Sequence, residues 1–346
     1  MSPGQLPTPL RPDAQGWPWT EAVDTHAYDP ARHWPTISIL VPSYNQGQFL
    51  EECLRSILAQ QYPNLEILLA DGGSTDTSLQ VIANYAEHLA WHRIGPDKGT
   101  WDADNLALAQ AKGEFVLVLN SDDYLLPKAL LHLVNGLEAG AGKDWVTGKV
   151  WAVDTTGATK ATFNPKPWPG GSHGRSFLHQ CWIYHPGTLV RRSLIGQFAD
   201  TDLMDWELWI RLERQGLTPA VVPCPVAALR FHASSKSYDT ARIYRSQIKL
   251  LSTLAHHYPD GLAAELAAAR RRLAEAEMCQ AAEANAKGKA LALWVAWGLR
   301  HPALLCDRPY LGLGRRLATG NLQDLYKPLA FLDQPYHPGP EDSLCA

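Results

Sequence analysis

Ile37-Ser-Ile-Leu-Val-Pro-Ser-Tyr-Asn45 begins as an unbroken run of strand-forming residues and ends on polar, turn-forming ones. A run this short, closed by Pro42, reads as a buried strand. The residues after it change period. Phe49, Leu50, Cys53, Leu54, Ile57 and Leu58 fall on one helix face, with Glu51 and Glu52 expected in the first turn near the positive dipole end. The alternation then repeats. Glu66 to Ala70 reads as a second strand, and Ser74-Thr-Asp-Thr77 as the capped start of a helix. Trp91 to Ile94 reads as a third strand and Phe115-Val-Leu-Val-Leu119 as a fourth, apolar on both faces. Such alternation predicts an α/β chain with a mainly parallel central sheet, right-handed crossovers and flanking helices.

Sheets of this kind bind ligands at the carboxyl ends of their strands. Each strand here is followed there by polar residues: Pro42-Ser-Tyr-Asn45, Asp71-Gly-Gly-Ser74 and Asn120-Ser-Asp-Asp123. Adjacent Asp122 and Asp123 repel one another unless solvated or neutralised, and hard oxygen ligands suit Mg²⁺ or Mn²⁺, which also bridges a diphosphate. A solvated turn capping the helix near Pro127 is the alternative. The glycines after Asp71 let the backbone approach a ligand, and Asp71 could accept from a base or ribose; a tight strand-to-helix turn explains them equally. Tyr44 offers an aromatic face. In Pro96-Asp-Lys-Gly-Thr-Trp-Asp102, Lys98 could meet a phosphate and Asp102 could cap the helix that follows. Turn chemistry accounts for any one cluster alone, but four in succession at strand ends point to a site.

Further along, Trp145 to Val153, Gly187 to Val190 and Ala220 to Val222 read as short strands, with a Pro/Gly-rich loop over Asn164 to Gly174 and a helix over Leu203 to Gln215. This stretch would supply the acceptor side of a cleft. Residues 1–35 read as an extended surface lead-in anchored by Trp17, Trp19 and Trp34. Beyond Tyr238 the chain is helical and Ala-rich. The balance of 31 Lys+Arg against 35 Asp+Glu argues against a nucleic-acid partner. Six dispersed cysteines form no Cys-x-x-Cys pair and fit a reducing compartment better than a disulfide scaffold. No signal peptide or spanning apolar stretch is read, so a cytoplasmic protein is expected. In 286–316, Lys287, Lys289, Arg300, Arg308, Arg315 and Arg316 surround Ala290-Leu-Ala-Leu-Trp-Val-Ala-Trp297. Peripheral contact with the inner face of a membrane and packing on the domain or on a second copy of the chain are both open readings.

The strand-end motifs, in this order and spacing, resemble glycosyltransferase family 2 with the GT-A Rossmann-like fold. The matching residues are Ile37 to Asn45, Ile57-Leu-Ala-Gln60, Glu66 to Asp76, Pro96-Asp-Lys-Gly99, Asp102-Ala-Asp-Asn105 and Gly113 to Asp123. Sparser matches follow at Pro186 to Arg192, Asp205-Trp-Glu-Leu-Trp-Ile-Arg211 and Arg230-Phe-His-Ala-Ser-Ser235. The resemblance implies a catalytic domain over 36–237, with a nucleotide-binding half (36–130) and an acceptor half (131–237), followed by a helical C-terminal region over 238–346. It implies that Asp71 contacts a nucleobase beside Pro42 and Tyr44, that Asp122 lies near the ribose or diphosphate, and that Asp123 holds Mn²⁺ or Mg²⁺. His232 would meet the metal or the diphosphate, and Asp205 would be the catalytic base. Three positions depart from the family pattern: Asn120 and Met204 stand where acids are frequent, and Leu106 where a lysine is common. The implied activity is inverting, metal-dependent transfer of a hexosyl or N-acetylhexosaminyl group from a nucleotide-sugar, a UDP-sugar first, to a glycan or lipid-linked acceptor in surface-polysaccharide or cell-envelope assembly. A catalytically idle sugar-nucleotide-binding scaffold and a nucleotidyltransferase are the alternatives.

Overall fold

A computed structural model of the chain describes residues 6–140, 143–166, 176–236, 239–258, 260–283, 287–300, 314, 315 and 317. Strands and helices alternate as expected through β1 (Ile37–Ser43), α1 (Gly47–Leu58), β2 (Leu65–Asp71), α2 (Ser78–Tyr85), β3 (Trp91–Ile94), α3 (Thr100–Leu108) and β4 (Phe115–Val118). Next come β5 (Tyr124–Leu125), α4 (Ala129–Ala139), β6 (Trp145–Val153), β7 (Thr159–Phe163), α5 (Ser176–His179), β8 (Thr188–Arg191), α6 (Arg192–Ile195), α7 (Met204–Arg214) and β9 (Ala220–Arg230). Three helices close the order: α8 (Thr240–Leu254), α9 (Ala263–Glu283) and α10 (Lys287–Arg300).

The strands form one nine-stranded sheet in the order β3-β2-β1-β4-β8-β6-β9-β5, with β7 paired to β6. The β3-β2-β1-β4 portion is parallel. Its central strand β1 is buried along its whole length, which is why it reads as a continuous run without period-two alternation. Pro42 is tolerated inside it because β4 leaves the ladder at Leu40↔Val118, before the residue that lacks an N–H. Where β8 joins β4 the pairing is antiparallel, with Val116 opposite Val190. This reversal carries the start of β8 to the carboxyl end of β4, on the same edge as the other polar loops.

Three expectations change. Helix α1 starts at Gly47, so Glu51 and Glu52 lie beyond its first turn. Asp76 Oδ2 holds the Gly47 amide at 2.9 Å, and a Cβ on Gly47 would fall 2.5 Å from the Ser78 nitrogen, so the helix begins wedged against the start of α2. Glu51 instead accepts from the Leu10 amide and the Tyr85 hydroxyl, and Glu52 pairs with Arg230. Second, α2 begins at Ser78, whose amide donates to Asp76 Oδ1, while Ser74 is used in the loop before it. Third, the strand expected over Ala220 to Val222 runs on to Arg230. Its register against β6 shifts twice, placing extra β9 residues around Pro223 and Pro225, which lack the donor a regular ladder needs.

The lead-in is anchored by more than tryptophans. Trp17 Nε1 donates to the Leu125 carbonyl at 2.8 Å, and Trp34 packs edge-on against Tyr28 and Tyr62. The buried Arg55 guanidinium of α1 donates to the carbonyls of Pro7, Pro18 and Trp19. Among the described cysteines Cys53, Cys181 and Cys279 are outside any disulfide, whereas Cys224 is disulfide-bonded, which the dispersed spacing did not suggest.

Described residues up to Phe231 form one compact unit, and those from His232 to Leu317 a second. In the second, Leu293, Trp294 and Trp297 of α10 pack against a cluster that includes Met278, Cys279 and Leu317, while Val295 and Leu299 are exposed. No helix among the described residues is long and apolar enough to cross a membrane. Arg308 and Arg316 of the basic stretch, and residues 167–174 of the Pro/Gly-rich loop, lie outside the described residues.

Candidate active site

The carboxyl ends of β1 and β2 are laced together by one carboxylate. Asp71, the last residue of β2, pairs in register with Ser43 and is wholly buried. Its Oδ1 accepts the amides of Gly73 (3.0 Å) and Ser74 (2.7 Å), and its Oδ2 accepts the Ser74 hydroxyl at 2.6 Å. The same hydroxyl accepts the Asn45 amide, and Asn45 Oδ1 accepts the Thr75 amide. Gly73, at φ +89°, supplies the left-handed backbone that the turn requires. Asp71 is thus engaged on both oxygens by its own loop in this conformation. Pro42 is likewise buried within β1. What the loop presents is Tyr44, 62% exposed, against Gly72, where a Cβ would stand 3.2 Å from the Tyr44 ring and 2.8 Å from Asp97 Oδ2. Lys98 is exposed on the adjacent loop, its amide held by Asp102 Oδ2 at 3.0 Å.

Asp122 and Asp123 follow β4 in a different state. Asp123 is 1% exposed. Its Oδ1 accepts the Arg230 amide at 2.8 Å, while its Oδ2 is buried without a hydrogen bond. Burial, and then the charge of Asp122, push the Asp123 carboxyl well above the ordinary aspartate range, more than Arg230 draws it down. Arg230 clamps this turn: its Nε donates to the Asp122 carbonyl at 2.9 Å, its Nη2 meets Glu52 at 2.7 Å, and its guanidinium lies over the Phe49 ring. A buried carboxylate oxygen lacking a donor, beside a second acid, suits a hard cation. Among the described residues no three His, Cys, Asp or Glu side chains form a ligand group, so such an ion would take most of its coordination from phosphate oxygens and water.

Asp205 stands in the first turn of α7, where the helix dipole favours negative charge. Its Oδ1 accepts the Trp206 amide at 2.8 Å, and its Oδ2 lies 3.2 Å from Nδ1 of His185. A small cavity of about 20 Å³ joins this pair to the end of the sheet, with Val116 and Val118 of β4 and Thr188 of β8 in its sheet wall and Met204 and Leu208 of α7 in its helix wall. Met204 is buried in that wall, so the position where an acid is frequent is here part of an apolar lining.

Asp122, Asp123 and Asp205 thus belong to one edge of the sheet, with the Tyr44–Gly72 surface at the ends of β1 and β2. His232 belongs to the second unit, where its Nδ1 lies 2.8 Å from Ser234 Oγ. Sequence reasoning missed His185 and the Arg230 clamp. His185 stands one residue before the matching Pro186-Gly-Thr-Leu-Val190 stretch, and a histidine there, at the start of a strand predicted on the acceptor side, was the available signal.

Residues 38–195 match the family model described as glycosyl transferase family 2. An uncharacterized glycosyltransferase of Nostoc sp. is 27% identical over 185 residues, which are 50% of this chain and 56% of that protein. The poly(ribitol-phosphate) beta-glucosyltransferase of Bacillus spizizenii is 33% identical over 133 residues, 37% of this chain and 21% of that protein. The chain thus spans about half the length of the first of these relatives and a fifth of the second. In fold it is similar to the mannosyltransferase PcManGT of Pyrobaculum calidifontis, solved with GDP-Man and Mn²⁺, at a TM-score of 0.52 and 21% identity over 91% of this chain and 88% of that one. Motif order, sheet topology and relatives agree, and residues 38–195 of this chain are a glycosyl transferase family 2 region.

Proposed function

We propose that this chain transfers a hexosyl or N-acetylhexosaminyl group from a nucleotide-sugar, a UDP-sugar first among the candidates, to a hydroxyl of a glycan or lipid-linked acceptor, with inversion. The observation that carries the reading is the sharing of one sheet edge by the Asp122-Asp123 turn, with its unsatisfied buried oxygen, and Asp205. The Tyr44 ring over Gly72 is the surface we assign to the base, on a loop whose shape Asp71 holds. Lys98, exposed on the neighbouring loop, is the basic side chain we assign to the diphosphate.

Asp123 is the residue we assign to a divalent ion, Mn²⁺ or Mg²⁺, with Asp122 beside it. When bound there, the ion supplies positive charge to the departing diphosphate. The solved relative that carries GDP-Man and Mn²⁺ supports this choice of ligands. Asp205 takes the proton of the acceptor hydroxyl as its oxygen bonds to the anomeric carbon and the bond from that carbon to the diphosphate breaks. General-base assistance of this kind contributes about 10²–10⁴-fold. The hydrogen bonds to both oxygens of Asp205 keep it oriented for that role. A polymer-linked acceptor agrees with the beta-glucosyltransferase relative, which acts on poly(ribitol-phosphate).

The test is Asp205→Asn. Donor binding, followed by calorimetry with UDP-glucose, UDP-N-acetylglucosamine and GDP-mannose in Mn²⁺, should persist while sugar transfer or donor hydrolysis falls by about 10²-fold or more. Undiminished turnover would remove the base assignment.

A further inference from the structure

Resting on the reading of Asp205 as the base, we infer that His185 is a positioning residue that holds the Asp205 carboxylate in its working orientation through a neutral Nδ1–H. The backbone around His185 is pinned before the side chain is considered. His185–Gly187 forms a single 3-10 turn leading into β8, closed by the Gly187 amide on the Tyr184 carbonyl at 3.1 Å. Thr188 fixes the turn again, its hydroxyl donating to the Tyr184 carbonyl at 2.8 Å and lying 3.0 Å from Thr147 Oγ1 of β6. A Cβ on Gly187 would come within 2.6 Å of the Val150 side chain, so the turn sits directly on β6. The imidazole is therefore delivered by rigid parts of the sheet rather than by a loose loop, as a precisely held base requires.

The two ring nitrogens have opposite surroundings. Nδ1 lies 3.2 Å from Asp205 Oδ2, whereas Nε2 is buried without a hydrogen-bond partner. The walls of the adjoining cavity are chiefly aliphatic, with Val190, Ile195 and Leu208 among them. The tautomer that fits carries its proton on Nδ1 and donates it to the carboxylate. A proton on Nε2 would bury an N–H with nothing to receive it. The neutral ring leaves the negative charge of Asp205 uncancelled while its rotation is stopped. With Oδ1 taken by the Trp206 amide and Oδ2 by the imidazole, both oxygens are oriented. Misplacing a catalytic group by about 1 Å costs on the order of 10²-fold in rate. Where an acid often precedes the base, this chain has the buried Met204, and a histidine from another element supplies the orienting contact instead.

Asparagine and glutamine separate this role from simple filling of space. In the His185→Asn variant the side-chain amide would place an N–H near the Nδ1 position, whereas glutamine, closer in volume to histidine, would place it near Nε2. Wild type, His185→Ala, His185→Asn, His185→Gln, Asp205→Asn and His185→Ala/Asp205→Asn are compared by steady-state release of nucleoside diphosphate in Mn²⁺. The donor is whichever of UDP-glucose, UDP-N-acetylglucosamine and GDP-mannose the wild type turns over, and thermal unfolding checks each variant. The expected result is a kcat about 10–100-fold lower in His185→Ala and His185→Gln, with donor KM within about twofold, and recovery in His185→Asn to within about fivefold of wild type. In the Asp205→Asn background, removal of His185 should change kcat less than about twofold. Wild-type kcat in His185→Ala, a glutamine variant faster than the asparagine one, or full additivity in the double variant would each overturn the inference while leaving Asp205 as the base. Undiminished turnover by Asp205→Asn would instead overturn the base reading, and this inference with it. Should His185→Ala not fold, the order of the asparagine and glutamine variants decides alone.

Discussion

Two aspartates follow the parallel strands on either side of β1, and their surroundings differ in one decisive respect. Asp71, after β2, receives three hydrogen bonds from its own loop, two from amides and one from a hydroxyl. Asp123, after β4, is as deeply buried, yet its Oδ1 takes the Arg230 amide, the Asn120 side chain adds a contact to the carboxyl, and its Oδ2 is left without a hydrogen bond. Burial costs a carboxylate several kcal/mol unless donors or a cation answer the charge. The first residue answers it internally and acts as a fastener. The second leaves it open, and its raised proton affinity is the measure of that deficit. The lesson is that depth alone does not mark a ligand site; an unanswered oxygen does.

Substitution should separate the two residues. Asp123→Asn should lower turnover by about 10²–10³-fold while leaving the midpoint of thermal unfolding unchanged or raised, because the variant removes a buried charge and its repulsion with Asp122. Initial rates and calorimetry on the same preparation check both halves. A large fall in the midpoint would make Asp123 a fastener as well. Asp71→Ala should do the reverse, removing three charge-assisted bonds and leaving buried donors unsatisfied at a cost of about 3 kcal/mol. For a unit of this size that is a fall of roughly 6–12 °C in the midpoint. A midpoint within about 2 °C of wild type would show that its loop closes without it.

A third strand-end aspartate sharpens the comparison at smaller scale. Asp154, after β6, accepts from the Thr156 amide and hydroxyl and the Ala158 amide, and pairs with Lys160 at 3.1 Å. Partial burial favours the uncharged form, but these donors outweigh it and hold the carboxyl down at about 2. A depressed carboxyl gives stability that is present above the unfolded value near 3.8 and lost as pH falls through about 2. With its side chain 29% exposed, the contribution is screened to about 1 kcal/mol. Asp154→Asn should therefore lower the midpoint by about 2–4 °C at pH 7, and the gap to wild type should narrow between pH 4 and 2.5. A gap independent of pH would assign the effect to the turn's geometry rather than to its charge.

The parallel half of the fold was legible because local pattern and tertiary environment agree there: apolar runs such as Ile37 to Val41 are buried on both faces, and polar residues begin where the strands end. The adjacent acids Asp122 and Asp123 were legible for a local reason too, since repulsion between neighbours is visible in the sequence itself. What stayed hidden depends on residues far apart in the chain. Arg230 reaches Glu52 across 178 positions, and Arg55 is buried by the carbonyls of the lead-in. His185 meets Asp205 because β8 reverses direction against β4, which no periodicity records. For Asp71 the motif was plain, but the number of donors around it was not. In β9, the strand read over Ala220 to Val222 runs on past Pro223 and Pro225, which the ladder absorbs as bulges.

Binding of free UDP and GDP, titrated into wild type and Asp123→Asn with Mn²⁺ and again with EDTA, tests the account most directly. One of these nucleotides should bind wild type at least about tenfold more tightly with Mn²⁺ than with EDTA, and Asp123→Asn should abolish the difference. Affinity unchanged by EDTA, a metal effect that survives in Asp123→Asn, or no binding of either nucleotide at millimolar concentration would contradict it.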